Sequence, residues 1–452
     1  MRIEDFTRLK KIVKPRKAYS MYYYRPVTGF SIDSRSLRPG DAFLALKGPH
    51  HDGHRFAASA VHKGASMVIA SRRISLPKKV PLWIVDDLPA VLAALTRYVR
   101  QRSGARVYAV TGSVGKTTTK EMLAFLLESR YSVKKNIATE NNLLGVAKTI
   151  FGREYEERLV LELGTNAPGE IEHLAWMSRP DVGVVTWIKP VHLERLKSLE
   201  GIAREKTSLF EKIPKIHAVL NYDDARLRTA SFRPVSWYGS DERCRVWARP
   251  ADRSLRGATY LINGRFPLTF PFPYELFLSN ALAAIAAALL EKIPLEEAVR
   301  RMNEFAGYPR GRMDVRTHHG VSFLHDAYNA NPFSCRQVLK LIARIPARKI
   351  FVLGDMKELG ERSVDYHAGL AKPVRDAGIT LCVTVGSRAR ALHEALRSSR
   401  TCEVYHCAHY QDAAARLRSR LRAGDWVVVK GSRSVGLERI FPLLGCPKTF
   451  AA

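Results

Sequence analysis

None of the six cysteines (Cys244, Cys335, Cys382, Cys402, Cys407 and Cys446) pairs with another at Cys-x-x-Cys spacing. So sparse and scattered a set argues against a disulfide framework or a cysteine zinc site and for reduced, inert thiols. Long apolar runs are missing too. Ala281 to Leu290 is the longest nearly unbroken stretch, well short of the ~20 residues that span a bilayer. The basic residues Arg2, Arg8, Lys10, Lys11, Lys14, Arg16 and Lys17 are not followed by the apolar stretch a signal peptide requires. The expectation is a soluble, cytoplasmic protein with no transmembrane segment. Acidic residues are in short supply, 43 Asp and Glu against 73 Lys and Arg, giving a net charge of +30 at pH 7. That surplus suits nucleic acid, an anionic surface or polyanionic small molecules. The basic residues are spread along the whole chain, neither gathered in one arm nor interleaved with aromatics, so charge alone assigns no nucleic-acid partner.

What is present is organised around Thr111-Gly112-Ser113-Val114-Gly115-Lys116-Thr117-Thr118. An apolar run, Arg106 to Val110, precedes it and reads as a buried strand. Glu121 to Ser129 follows with apolar residues at helical spacing. Strand, glycine turn, then Lys-Thr at a helix start is the architecture of a phosphate cradle. Glycines let backbone N–H groups approach the phosphates, and the helix N-terminus adds partial positive charge. Lys116 is expected exposed in the free loop and reaching the outer phosphates, with the Thr117 hydroxyl on Mg²⁺. The loop is not a standard Walker A, which wants a glycine where Val110 stands.

At 452 residues, two or three domains are expected. Residues 1–103 read as a small α/β domain whose loops, Asp33-Ser34-Arg35 and Asp52-Gly53-His54, lie beside strand ends. The polar segment Gln101 to Gly104 marks a boundary, and 104–308 form a central α/β unit around the phosphate loop. There Thr139-Glu140-Asn141-Asn142 is a polar knot before a helix over Leu143 to Ile150. Arg158 to Gly164 is a strand carrying a carboxylate, Glu162, near its tip, as a magnesium-binding element requires. Asn166 and Gly169-Glu170 open the next helix. His192 lies just past the strand Val182 to Thr186. Lys206 sits on a helix over 199–210, where a lysine is ordinarily a solvated charge. Residues 309–452 alternate strands and helices, with polar loops after Leu324-His325-Asp326, Leu353-Gly354 and Val429-Lys430. Alternating strands and helices imply parallel sheets, and these loops fall at the strand ends where such sheets bind ligands.

Taken together, these residues resemble the Mur ligases, ATP-dependent amide-forming enzymes of peptidoglycan precursor synthesis. The resemblance rests on the shortened phosphate loop, on Glu162-Leu163-Gly164-x-Asn166-x-x-Gly169-Glu170, and on the spacing of His192 and Lys206. It runs in order over nearly the whole chain. Within the family, three pieces are similar to the branch that joins D-alanyl-D-alanine to UDP-N-acetylmuramoyl-tripeptide. They are Tyr328-Asn329-Ala330-Asn331-Pro332, Leu353-Gly354-Asp355-Met356-x-Glu358-Leu359-Gly360 and Val429-Lys430-Gly431-Ser432-Arg433-Ser434. The fold implied is a nucleotide-sugar domain, a P-loop ATPase domain with a mostly parallel sheet, and a Rossmann-like C-terminal domain, in a monomer.

The resemblance also implies roles. A substrate carboxylate attacks the ATP γ-phosphate, and the amine displaces phosphate from the acyl phosphate. Lys116, Lys206 and His192 would be catalytic. Thr117 and Glu162 would hold one Mg²⁺; His192 and a carbamylated Lys206 would hold a second. Asn280, Arg312 and Asp326 would approach adenine, phosphate and ribose. Ser34, Arg35, Asp52, Gly53 and His54 would serve the uridine nucleotide. Asn141, Asn142 and Asn166 are further substrate candidates, and Tyr328, Asn329, Asn331 and Ser432 would help position the dipeptide. The chain departs from the family pattern at Ala167, His325, Thr207-Ser208 and Tyr274-Glu275-Leu276. Two other readings stand beside this one: a diverged Mur-type or folylpolyglutamate-type ligase using another amine, and a basic P-loop ATPase that binds nucleic acid.

Overall fold

Runs of Val, Leu, Ile and Ala with no polar alternation bury on both faces, the condition for parallel strands covered by helices. The chain makes three sheets this way. The structure, a computed structural model, describes residues 6–19, 26–49, 51–77, 79–137, 140–152, 154–213, 215–229, 231–254, 257–270, 275–308, 311–447 and 450. Tyr274 and Thr139, named above, lie outside these residues.

The first sheet holds β1 (Lys17–Tyr19), β2 (Gly29–Ser31), β3 (Asp41–Leu44), β4 (Met67–Ala70) and β5 (Leu82–Ile84), in the order β1-β5-β4-β3-β2. Only β1 runs antiparallel. The helix Leu88–Arg102 then ties this sheet to the next domain. Arg100 Nε donates to the Ser178 carbonyl at 3.0 Å, and its Nη2 meets Asp181 at 2.7 Å.

The second sheet contains β6 (Arg106–Thr111), β7 (Val133–Lys135), β8 (Arg158–Glu162), β9 (Val182–Val185), β10 (His217–Asn221) and β11 (Val235–Gly239). It is completed by β12 (Val246–Ser254), β13 (Gly257–Ile262) and β14 (Phe266–Phe270), in the order β14-β13-β12-β11-β10-β9-β6-β8-β7. From β7 to β12 neighbours are parallel; the β12-β13-β14 extension is antiparallel. The chain moves from β6 to one side, returns through β8, then crosses to β9 on the other side. That reversal puts the phosphate loop at a topological switch point, the crevice where open α/β sheets bind ligands. The helix Glu275–Ala288 packs on the helix Lys116–Leu127 that follows the loop. Ala281, Ala283, Ala284 and Ala286 to Ala288 are fully buried there, and their small side chains permit the close approach.

The third sheet comprises β15 (Asp314–His318), β16 (Val321–Asp326), β17 (Lys349–Gly354), β18 (Ile379–Val385), β19 (Glu403–Cys407) and β20 (Trp426–Lys430), in the order β15-β16-β20-β17-β18-β19. Only β15 is antiparallel. The last strand inserts between β16 and β17, so this sheet too reverses, beside Asp326, Gly354 and Lys430. One apolar core runs from the central sheet through Phe277, Phe305, Met313 and Ala330 into the third domain. Trp187 and Phe333 meet across the same boundary with ring centres 5.9 Å apart. Among the described residues no helix is long and apolar enough to cross a membrane.

Candidate active site

The phosphate loop begins where β6 ends. Gly112 and Gly115 adopt φ of +142° and +89°, conformations that side-chain-bearing residues rarely take. Space excludes them as well: a Cβ on Gly112 would lie 2.0 Å from the Thr186 hydroxyl, and one on Gly115 2.2 Å from Asn280 Oδ1. Thr186 Oγ1 donates to the Val114 carbonyl at 2.6 Å, and Ser113 Oγ to the Lys189 carbonyl at 2.8 Å, fixing the loop from the β9 side. Lys116 is not exposed as expected. It is half-buried, and its Nζ donates back to the Gly112 carbonyl at 2.9 Å, because a cation in a narrow cleft takes the nearest backbone acceptor. Burial lowers its pKa, with the charge of Glu162 opposing that shift.

A cleft opens between this loop and the third domain. Ser113 to Thr118, Asn141, Glu162, Asn166, His192 and Asn280 line one side. Arg312, Asp326, Tyr328, Asn329, Asn331 and Lys430 line the other. Arg312 Nη2 donates to Thr117 Oγ1 at 3.2 Å. Asp326 accepts from Lys430 Nζ at 2.5 Å and from the Met313 N–H at 3.3 Å; Lys430 also reaches the Asn329 carbonyl at 3.0 Å. Asn331 spends its side chain on a capping box with Ser334 at the head of the helix Pro332–Ile342.

Glu162 is buried at the tip of β8. Its Oε1 accepts from Asn141 Nδ2 at 2.8 Å, while Oε2 has no partner among the described residues. Asn136, fully buried, clamps the same residue's backbone. Its Oδ1 accepts from the Glu162 N–H at 2.8 Å and its Nδ2 donates to the Glu162 carbonyl at 2.9 Å. Buried Lys120 holds the Asn136 carbonyl at 2.6 Å. Lys206 is fully buried too, correcting its reading as a solvated helical charge, and among the described residues its Nζ finds no hydrogen-bond partner. Desolvation drives its pKa well below that of a free lysine, and the charge of Lys116 adds to the effect. Glu205 beside it is committed elsewhere, accepting from Thr165 Oγ1 and from the Ile171 and Gly169 N–H groups. A buried carboxylate oxygen and a buried amine, both unsatisfied, fit a cation and a modified lysine. Native interiors rarely leave such groups unpaired. Among the described residues no three His, Cys, Asp or Glu side chains gather as a ready-made metal site.

Other sequence candidates are placed differently. Thr111 is buried in the sheet and donates to the Leu163 carbonyl at 2.9 Å, and Gly112 shapes the turn. Asn142 is an exposed N-cap, accepting from the Gly145 N–H. Ser432 is buried and accepts from the Lys357 N–H at 3.0 Å. In the first domain, Asp52 binds His54 Nδ1 at 2.6 Å, and Gly53 lies so close to Leu46 that a Cβ would sit 2.5 Å from its carbonyl. Ser34 is buried with its carbonyl on Lys63, and Arg35 folds back onto Asp33. A second, larger cleft runs between this domain and the central one, lined by Ser31 to Asp33, Arg38, Lys135, Lys148 and Tyr155 among others. Leu276 adds an apolar wall beside Asn280, and His325 is buried. Sequence reasoning missed Asn136 and Lys120, and gave Lys430 and Glu358 no role beyond the motifs that contain them. Only the fold shows what these side chains reach.

A phosphate loop at a sheet reversal, closed by a second Rossmann-like sheet that supplies an arginine, defines a P-loop nucleotide-dependent enzyme. Family models match along the chain: a Mur ligase family catalytic domain over residues 26–111, a Mur ligase middle domain over 110–288, and a Mur ligase glutamate ligase domain over 311–433. The chain belongs to the Mur ligase family. It is 31% identical over 441 residues to the UDP-N-acetylmuramoyl-tripeptide–D-alanyl-D-alanine ligase of Bacillus subtilis, covering 96% of each chain. To the ligase of the same name from Treponema pallidum it is 32% identical, covering 93% of this chain and 94% of the other. Among solved structures, MurF from Acinetobacter baumannii superposes with a TM-score of 0.85 at 27% identity, covering 98% of this chain and 99% of that one. MurF from Thermotoga maritima in complex with ADP gives 0.82 at 28% identity, over 92% and 97%. This kinship favours the ligase reading over a nucleic-acid-binding ATPase.

Proposed function

We propose that this chain joins the amine of D-alanyl-D-alanine to the terminal carboxylate of UDP-N-acetylmuramoyl-tripeptide, converting ATP to ADP and phosphate. The observation that carries the reading is the convergence of the phosphate loop, Glu162, His192 and Arg312 on one cleft, in a chain whose relatives carry that name over nearly their full length.

In this reading the loop's N–H groups and Lys116 hold the ATP phosphates. On ATP binding, Lys116 leaves the Gly112 carbonyl for the phosphoryl oxygens. Arg312, already at Thr117, stabilises charge spreading over the transferring group. Attack by the tripeptide carboxylate gives the acyl phosphate. Attack by the dipeptide amine gives a tetrahedral centre that expels phosphate. Asp326, held by Lys430, takes the ribose. Leu276 and Asn280 border the nucleotide, and Tyr328, Asn329 and Asn331 form the dipeptide side. Thr117 and Glu162 would hold one Mg²⁺, with His192 and a carbamylated Lys206 holding another. When bound, these ions would neutralise phosphate charge and draw the carboxylate and phosphate together. Lys206 suits carbamylation because its amine is buried and held toward the neutral form, the form that reacts with CO₂. The first domain and the larger cleft beside it take the UDP-sugar-peptide, and the enzyme works as a cytoplasmic monomer.

A coupled assay of ADP release, with UDP-N-acetylmuramoyl-tripeptide and a panel of amines, tests the reading. Turnover is expected with D-alanyl-D-alanine. Turnover only with another amine would transfer the assignment to a diverged ligase. ATP hydrolysis stimulated only by nucleic acid would end it.

A further inference from the structure

His192 and Glu358 come from different domains and face each other. His192 follows β9 in the central domain; Glu358 follows β17 in the C-terminal domain. The His192 Nδ1 lies 2.5 Å from Glu358 Oε2. Beside them the Glu194 N–H reaches the Glu358 carbonyl at 3.4 Å, and Gly360, at φ +65°, lies against the backbone of Leu193 and Glu194. Both partners have left-handed backbone, φ 52° at His192 and 65° at Glu358, although neither is glycine. Such conformations are costly and persist where the surroundings over-determine them, commonly at functional sites. An ordinary surface ion pair contributes too little to hold two strained residues.

The chemistry of the pair is directional. A carboxylate only accepts, so Nδ1 carries a proton, and in the neutral imidazole the lone pair is then on Nε2. His192 lines the phosphate-loop cleft, and the Glu358 side chain that meets it is half-exposed. A histidine fixed in tautomer and orientation by a carboxylate behind it is the arrangement that prepares an imidazole for a metal ion.

We propose that Glu358 is a positioning residue for His192. Delivered across the domain boundary, it aims the imidazole Nε2 at a divalent cation, so that the central domain's cation site is complete only when the C-terminal domain is docked. The inference rests on the cation reading of the preceding section and adds to it a link between docking and cation affinity.

The test uses the full-length protein saturated with ADP and titrated with Mn²⁺, the free ion being read by electron paramagnetic resonance. Glu358→Ala should weaken Mn²⁺ binding about 10–100-fold. Glu358→Gln, whose amide oxygen still accepts from Nδ1–H, should recover most of the affinity. Parental affinity in Glu358→Ala, or a loss in Glu358→Gln as deep as in Glu358→Ala, overturns the inference. His192→Ala separates the two levels. If it loses Mn²⁺ while Glu358→Ala does not, the positioning role alone falls. If it binds Mn²⁺ normally, the cation reading falls with it.

Discussion

Arg312 leaves the C-terminal domain and donates to the Thr117 hydroxyl at 3.2 Å, with its guanidinium 4.2 Å from the centre of the Tyr328 ring. The ring supports the flat face of the cation, and the Thr117 bond directs one edge into the phosphate loop. Its Nε is buried without a partner among the described residues. The third domain therefore contributes a donor that the loop cannot supply for itself.

Arg312→Ala should lower kcat by about 10²–10³, the usual loss when one donor to developing charge is removed. Arg312→Lys should recover little, since a point charge neither forks nor stacks as a guanidinium does. Steady-state kinetics in ATP decide the matter, and a lysine variant with parental kcat would contradict the role.

The loop itself tests the phosphate assignment. Lys116→Ala removes a side chain whose Nζ hydrogen-bonds its own loop, so the fold should survive while turnover is lost. Unchanged thermal unfolding together with undetectable ADP release is the expected pair of results. Gly115→Ala forces a Cβ to 2.2 Å from Asn280 Oδ1 at φ +89°, and should weaken ADP binding by calorimetry. Parental ADP affinity in that variant would show that the loop does not hold the nucleotide.

How far the sequence could be read depended on whether a signal was local. Strand, glycine turn and helix around Lys116 are contiguous, so the phosphate loop and the parallel character of its sheet were legible from residue order. The antiparallel β12-β13-β14 edge showed only as short β-like runs such as Thr259 to Ile262. Lys206 marks the limit. Its helix, Leu199–Thr207, buries Ile202, Glu205 and Lys206 together, and nothing in the helical repeat tells that a lysine faces inward. Family resemblance pointed to it where residue physics did not. Glu358 was quoted only as part of a motif, because its partner lies in another domain. Asn142 was ambiguous for the opposite reason: a polar residue before a helix suits a ligand and an N-cap equally, and the structure shows the cap.

Lys206→Ala should be inactive, and short carboxylates such as formate or acetate should restore part of the activity by standing in for a carbamate. The parent enzyme should also lose activity in CO₂-depleted buffer and regain it with bicarbonate. An alanine variant with parental activity would remove Lys206 from the site. Loss of activity with no carboxylate rescue and no bicarbonate dependence would leave it as a packing residue.

Far from the cleft, Glu291 tests what holds the central sheet. Its side chain is almost fully buried and accepts from Tyr108, from Arg158 at 2.7 Å and from Arg106 at 3.1 Å. Arg158 also lies 3.7 Å over the Tyr131 ring. Burial pushes the Glu291 carboxyl pKa up, but the bonds from Arg158 and Tyr108 and the charge of Arg106 outweigh it, and the pKa is lowered. A carboxyl lowered on folding adds stability that is present above its unfolded pKa and is lost as pH falls through the folded one. Glu291→Ala strands Arg158 and the Tyr108 hydroxyl, so urea unfolding at neutral pH should show a loss of about 3–5 kcal/mol, the range for breaking one side of a buried pair. The gap between parent and variant should narrow as the pH is taken below the ordinary carboxylate range. A gap that stays constant with pH would mean that packing, and not the ionised carboxylate, is what Glu291 contributes.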